Sequence, residues 1–323
     1  MENMTRSLKS EIIVNASDSV PAFTTLEQAF NTKSPVEGTT HHARMRFPEA
    51  ERHVRSVYDQ SLGKHVFRVE VHDQFCPDGC YLHGPSDRQR IEVRPTSDLP
   101  EGVARENDIT EYVWNFKIDD AFPRPTGFCH IFQMKATSQV RGIVDEASGL
   151  QVSGTEAGSA ILLLSVSSTD EVTFRHNRLG GSAGAEVLEK VPVRDIKGKW
   201  VKVEITVLHS DNGCVRMKMS DVSTGRVYMK YDDPKRVIDL WRRPEIRYEE
   251  QHGDRMRRRY EETALPAHKN QYNRPKWGIY RKAIGAYDRD GVTANSRYAG
   301  VDVQGAVLYL SDITIRKFEN THI

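Results

Sequence analysis

The sequence predicts an all-β fold, an antiparallel jelly roll, on three observations. Strand-like runs recur from end to end, turn signals separate them, and little helical periodicity lies between. In order, the runs are His65 to His72, Arg90 to Arg94, Glu111 to Ile118, Cys129 to Lys135, Ala160 to Ser167, Val201 to Leu208, Cys214 to Ser220, Arg226 to Tyr231, Trp277 to Lys282 and Ala306 to Arg316. Each is short, and each either alternates polar with apolar residues or is rich in β-branched ones, the period-2 signature of a strand. Asp211-Asn212-Gly213 and Ser223-Thr224-Gly225 link three of these runs and predict that they pair as neighbours. Pro77-Asp78-Gly79 marks a further turn.

Two regions break the rhythm. Leu26 to Arg55 carries polar loops with room for a short helix. Asp232 to Arg274 is dense in charge and includes Arg255-Met256-Arg257-Arg258-Arg259-Tyr260-Glu261-Glu262. It is expected to be a charged, partly helical insertion, an exposed helix or solvated loop whose opposite charges pair locally. The sharper reading makes it a basic cover over a groove. No repeat, low-complexity tract or linker divides the chain, so residues 1–323 read as one domain with an insertion at about 232–274.

Composition narrows the partners. With 46 Lys+Arg against 45 Asp+Glu the formal net charge is +1, which gives no field of the kind that draws nucleic acid or an anionic membrane. The longest apolar run, around Ala160 to Val166, is far too short to cross a bilayer. Met1-Glu2-Asn3-Met4-Thr5-Arg6 lacks the basic start and apolar stretch of a secretory signal. Of four cysteines, Cys76 and Cys80 bracket a Pro/Gly turn and either close a small loop or stay as thiols; no His-x-x-x-His spacing or second Cys pair supports zinc.

The chemistry-bearing residues fall on strand faces. Because i, i+2 and i+4 share a face, Arg90, Glu92 and Arg94 form one polar row, Gln133 and Lys135 a second, and Lys276, Gly278 and Tyr280 a third. The alternating positions, among them Trp277 and Ile279, are apolar and point to a core. Strict alternation puts His130 opposite Gln133, which makes it a structural histidine. His72 and His83 stay open as site members. Trp114, Tyr112, Trp241 and Tyr248 suit either packing or sugar stacking.

The segments Arg90-Ile91-Glu92-Val93, Gln133-Met134-Lys135 and Lys276-Trp277-Gly278-Ile279-Tyr280 resemble, in that order, the R-x-E, Q-x-[HK] and K-x-G-x-Y strands of jelly-roll polysaccharide lyases of the alginate-, glucuronan- and heparin-lyase-like type. The resemblance spans about residues 20 to 320. It implies a concanavalin-like antiparallel sandwich and β-elimination on a uronate-containing acidic polysaccharide. Lys135 stands where many alginate lyases have histidine, which shifts the expectation toward a glucuronan-like site. The implied catalytic set is Tyr280, Gln133, Lys135 and Arg90, with Arg94, Lys276, Glu92, His83 and Lys282 as substrate contacts. Tyr280 is the proton-transfer group, and cations around a tyrosine favour the phenolate that a base requires. Gln133 and an arginine fork neutralise the substrate carboxylate. Glu92, between two arginines, is expected chiefly to hold them in place. The resemblance also implies a secreted monomer with no required cofactor. Calcium stabilises some relatives, but no compact acidic loop marks a site.

Rival functions fare less well. A non-catalytic acidic-carbohydrate binder would need cations but no tyrosine beside a neutralising amide. A laminarinase-type hydrolase would need its Glu-x-Asp-x-x-Glu strand, which is missing. Gly180-Gly181-Ser182-Ala183-Gly184 lacks the lysine of a phosphate loop.

Overall fold

A computed structural model describes residues 7–39, 53–71, 88–137, 143–144, 151–152, 160–177, 185–233, 236–241, 245–252, 255–262, 272–282 and 305–319. The strands are β1 (Leu8–Val14), β2 (Val36–Glu37), β3 (Val54–Asp59), β4 (Lys64–Val71), β5 (Arg88–Val93), β6 (Ile109–Ile118) and β7 (Cys129–Thr137). There follow β8 (Ile143–Val144), β9 (Gln151–Val152), β10 (Leu162–Val166), β11 (Glu171–Asn177), β12 (Ala185–Pro192), β13 (Val201–Leu208), β14 (Cys214–Asp221) and β15 (Val227–Asp232). The last are β16 (Glu245–His252), β17 (Arg255–Glu262), β18 (Tyr272–Lys282) and β19 (Ala306–Phe318). Among the described residues, α-helix is confined to α1 (Ala22–Ala29) and the single turn α2 (Val193–Ile196), and no helix is long and apolar enough to cross a membrane.

The strands build an antiparallel sandwich. A front sheet runs β12-β11-β10-β7-β18-β5-β2, and a back sheet runs β15-β14-β13-β6-β19-β4-β3 with β1 added on β19. The chain crosses between them at β2, β3, β5, β6, β7, β13, β18 and β19, the alternation that makes a jelly roll. The neighbours β13, β14 and β15 pair as their turn signals predict. The charged insertion departs from expectation. Its described part contains no helix; β16 and β17 pair with each other from Glu245 opposite Glu262 to His252 opposite Arg255. That register sets Glu249 opposite Arg258 and Glu250 opposite Arg257, a juxtaposition of unlike charges that favours a two-stranded ladder.

Apolar residues from the two sheets meet between them. On β6 every second residue is buried, ending with Tyr112, Trp114, Phe116 and Ile118. Trp114 stacks on Phe132 of β7 with ring centroids 4.7 Å apart and meets Trp277 of β18 edge-on at 6.2 Å. Burying aromatic side chains of this size is worth about 1.5–3 kcal/mol each, so this cluster ties the centre of the front sheet to the back. Tyr112, Trp114 and Trp241 are therefore packing residues rather than sugar platforms. The side chain of Tyr248 lies outside the described residues.

Two β-bulges re-aim the front sheet. Trp277 pairs with Phe132 and Tyr280 with His130, so Gly278 and Ile279 together span the place of Ile131. On the other side of β7, Phe132 pairs with Leu164 and His130 with Ser165, leaving Ile131 as an extra residue. Ile131 and Phe132 are consecutive, yet both belong to the core. Alternation changes phase there, and His130 comes round to the side that Gln133 and Lys135 occupy. The assignment of His130 to the opposite face is thereby corrected.

Gly278 makes the β18 bulge feasible. Its φ is +141°, a conformation L side chains rarely adopt, and a Cβ there would strike the Ile91 carbonyl oxygen of β5. Gly278→Ala is expected to destabilise the fold by about 1–3 kcal/mol, the cost of a strained backbone conformation. Urea unfolding would show it as a lower midpoint, and an unshifted midpoint would count against this geometry.

Candidate active site

Read through the ladders, two rows of residues cross the front sheet. One is Arg175, Leu163, Gln133 and Lys276. The other is Thr173, Ser165, His130, Tyr280 and Arg90. The strands carrying the three motifs, β7, β18 and β5, are adjacent, which brings Arg90, Gln133, Lys135 and Tyr280 to one cavity of about 460 Å³. Arg88, Phe128, His130, Leu163, Arg175 and Asn177 line it as well.

Beneath the cavity lies an ion cluster centred on Glu37, which sequence reading did not single out. Its carboxylate pairs with Arg90 Nη1, with Lys276 Nζ at 2.7 Å, with Arg94 Nε at 3.1 Å and with Arg274 Nη2 at 3.8 Å. Glu92 pairs with Arg90 Nε at 3.2 Å and accepts a hydrogen bond from Gln133 Nε2. Four cations thus meet two carboxylates inside the sheet. Lys276 is 0% exposed and Glu92 1%. Neither they nor Arg94 are among the residues that line the cavity. Glu92 contacts both an arginine of its own strand and the amide of the neighbouring motif. Lys282 also stays outside the lining, and its stem packs over Gly127. His72, His83, Cys76 and Cys80 lie outside the described residues, as do the side chains of the β16–β17 arginines.

Tyr280 sits at the junction of the motifs. Its hydroxyl accepts a hydrogen bond from Arg88 Nη1 at 3.1 Å and donates to no described group. The Arg90 guanidinium lies over its ring at 4.1 Å, and Phe128 packs edge-on against it at 5.1 Å. The ring is thus held between a cation and an aromatic edge with its hydroxyl toward the cavity residues. His130 stands beside it with ring centroids 5.7 Å apart and its Nδ1 2.8 Å from Ser165 Oγ. Burial, reinforced by the charges of Arg175, Arg88 and Arg90, pushes the His130 imidazole down to about 3. It is therefore neutral at ordinary pH, and its Nε2 makes no hydrogen bond among the described residues.

The lining has a decided electrostatic character. Arg88, Arg90, Lys135 and Arg175 contribute to it, and no carboxylate does among the described residues. Arg88 and Arg175 escaped sequence reading because they sit outside the three motifs. Arg175 was nevertheless findable, since Val172, Thr173, Phe174 and Arg175 alternate as a strand should. His130 was findable from the consecutive apolar pair Ile131-Phe132 in an otherwise alternating run. Glu37 belongs to a two-residue strand inside a stretch that reads as polar loop, and nothing in the sequence distinguishes it.

Fold and site together define an antiparallel jelly-roll sandwich with a cation-lined groove on its front sheet. No family model matches the chain, and no curated protein does. Among solved structures, it is similar to an endo-β-1,4-glucuronan lyase from the fungus Trichoderma reesei, with 10% identity, coverage of 81% of this chain and 85% of that one, and a TM-score of 0.43. It is likewise similar to a PL-14 alginate lyase from Aplysia kurodai, with 8% identity, 96% and 98% coverage and a TM-score of 0.46. A family 7 alginate lyase in complex with substrate shares 10% identity over 84% of each chain, with a TM-score of 0.45.

Two outcomes test the site. Glu37→Gln removes the carboxylate on which four cations converge, and leaving buried charge uncompensated costs about 3–5 kcal/mol; chemical denaturation measures it. The second concerns pH. Because the folded-state value of His130 lies below the unfolded value, its contribution to stability is present above about 6.5 and is lost as pH falls toward 3. His130→Gln should flatten the fall in unfolding free energy between those limits, and parallel curves for parent and variant would contradict a neutral, half-buried imidazole.

Proposed function

We propose that the protein is a polysaccharide lyase that cleaves a uronate-containing acidic polysaccharide by β-elimination, at a glucuronan-like residue. The observation that carries this reading is the Tyr280 hydroxyl set in a cavity lined by cations, an amide and a neutral imidazole. A glycosidase requires a pair of carboxyl groups flanking the bond. The described lining offers none.

Each step has a group suited to it. The uronate carboxylate must be neutralised so that negative charge can accumulate as C5 loses its proton, and the lining cations with the Gln133 amide supply donors for that charge. Tyr280 takes the C5 proton. In β-linked glucuronate, H5 and O4 lie on the same side of the ring, so the tyrosine can return a proton to the leaving O4. Cleavage of the C4–O4 bond leaves a C4–C5 double bond on one product and a hydroxyl on the other. Arg88, donating to the tyrosine oxygen, supports the phenolate that takes the C5 proton and that is restored when O4 is protonated. His130, uncharged, can hydrogen-bond substrate without competing for the carboxylate, and Lys135 adds positive charge at the rim.

Incubation with glucuronan, alginate and heparin-type polymers, read by ultraviolet absorbance of the unsaturated uronate, tests the class of reaction. Shortened chains without that absorbance would indicate hydrolysis. Tyr280→Phe keeps the ring between Arg90 and Phe128 but lacks the hydroxyl. It should lower kcat by about 100-fold or more while retaining polymer binding. A parental rate in this variant would exclude tyrosine as the proton carrier.

A further inference from the structure

The cations of the groove are not equivalent. Arg90 is engaged by Glu37 and Glu92. Arg88 donates to Tyr280 and lies over the Phe128 ring at 4.9 Å. Arg175 differs from both in that its side chain forms no ion pair or hydrogen bond among the described residues; its Nε, like that of Arg90, is buried without a hydrogen-bond acceptor. A guanidinium nitrogen shielded from water and unmatched by an acceptor costs free energy in the empty protein, which an anionic ligand recovers.

Its position suits that role. Arg175 shares a row with Gln133, separated only by Leu163, a short apolar floor that offers no competing acceptor. All three line the cavity with His130. The charge of Arg175 acts on the His130 ring, ahead of Arg88 and Arg90 and second only to burial in keeping it neutral. Asn177, two residues along the same strand, lines the cavity too, so the far side of the site is polar but holds no carboxylate among the described residues.

We propose that Arg175, rather than Arg90, grips the anionic group of the ligand, a uronate carboxylate seated over Gln133 and His130. A planar fork with free N–H groups matches the two oxygens of a carboxylate, whereas the arginine already bound to two glutamates orients the tyrosine ring. This assignment rests on the acidic-polymer reading of the site but not on the chemistry that follows binding.

Titration calorimetry can decide it, performed in the Tyr280→Phe background so that the ligand stays intact. The probes are a hexamer of β-1,4-linked glucuronate and cellohexaose, the same backbone with hydroxymethyl groups in place of carboxylates. Arg175→Gln should weaken binding of the acidic hexamer by about tenfold or more, the loss of one charge-assisted pair, and leave any affinity for cellohexaose unchanged. Lys190→Gln, which removes a positive charge from the exposed ion pair with Glu171 on the neighbouring strand, should bind as the background protein does. Arg175→Lys, retaining charge without the fork, should fall between. Unaltered affinity in Arg175→Gln, an equal loss for both hexamers, background affinity in Arg175→Lys, or no binding of the acidic hexamer by the background protein would each overturn the proposal. An acidic hexamer that binds through Arg175 yet gives no unsaturated product with the parent protein would end the lyase reading and leave this one standing.

Discussion

The carboxylate of Glu37 is the interaction on which the front sheet depends. Arg90 on β5, with Arg94 just beyond it, and Lys276 with Arg274 on β18 bring like charges onto adjoining strands. At these separations, and away from bulk water, their mutual repulsion would oppose strand pairing. One acid from the short edge strand β2, assisted by Glu92, turns that repulsion into a cross-strand lattice. The lattice in turn sets the Arg90 guanidinium over the Tyr280 ring and gives the Gln133 amide its acceptor. Thus the geometry of the groove depends on charges that the groove itself does not display.

Positive charge in this sheet has two distinct uses. Lys276, Arg94 and Arg274 are matched by carboxylates and fix strands. Arg88, Lys135 and Arg175 stand on the cavity side, where the described lining holds no acid. A count of cations from the sequence mixes the two sets, and only their partners separate them. This is why a chain whose formal net charge is +1 can present a locally cationic cavity: the imbalance arises from which carboxylates are drawn inside and which cations line the cavity.

Much of this was legible from alternation alone. The polar faces of Arg90 and Glu92, of Gln133 and Lys135, and of Lys276 and Tyr280 follow from parity, as does the burial of Trp277 and Ile279. Parity failed where the backbone inserted a residue. The bulge at Ile131 moved His130 into the groove, and no rule of strict period two can anticipate that, although the adjacent core pair Ile131-Phe132 records it. The motif glycine, Gly278, was visible as a residue but not as a bulge. Glu37 was illegible for a different reason, since its importance comes from partners more than 50 residues away in sequence, such as Arg90, and over 230 away for Lys276. Charge density in the insertion was read as partly helical because unlike charges suit a helix surface and a hairpin ladder equally well.

The close approach of glycine to β5 occurs on both of its edges. A Cβ at Gly278 would strike the Ile91 carbonyl oxygen, and a Cβ at Gly38, where φ is +106°, would strike that of Arg90. The strand bearing Arg88 and Arg90 is therefore clasped between two backbones that approach more closely than any side chain permits. The spacing of the cationic groups from Tyr280 is accordingly set by main-chain geometry, which hardly varies, instead of by side-chain volume, which drifts readily. Sequence change can recolour the walls of this groove, but its width at the tyrosine is held constant by the absence of two methyl groups.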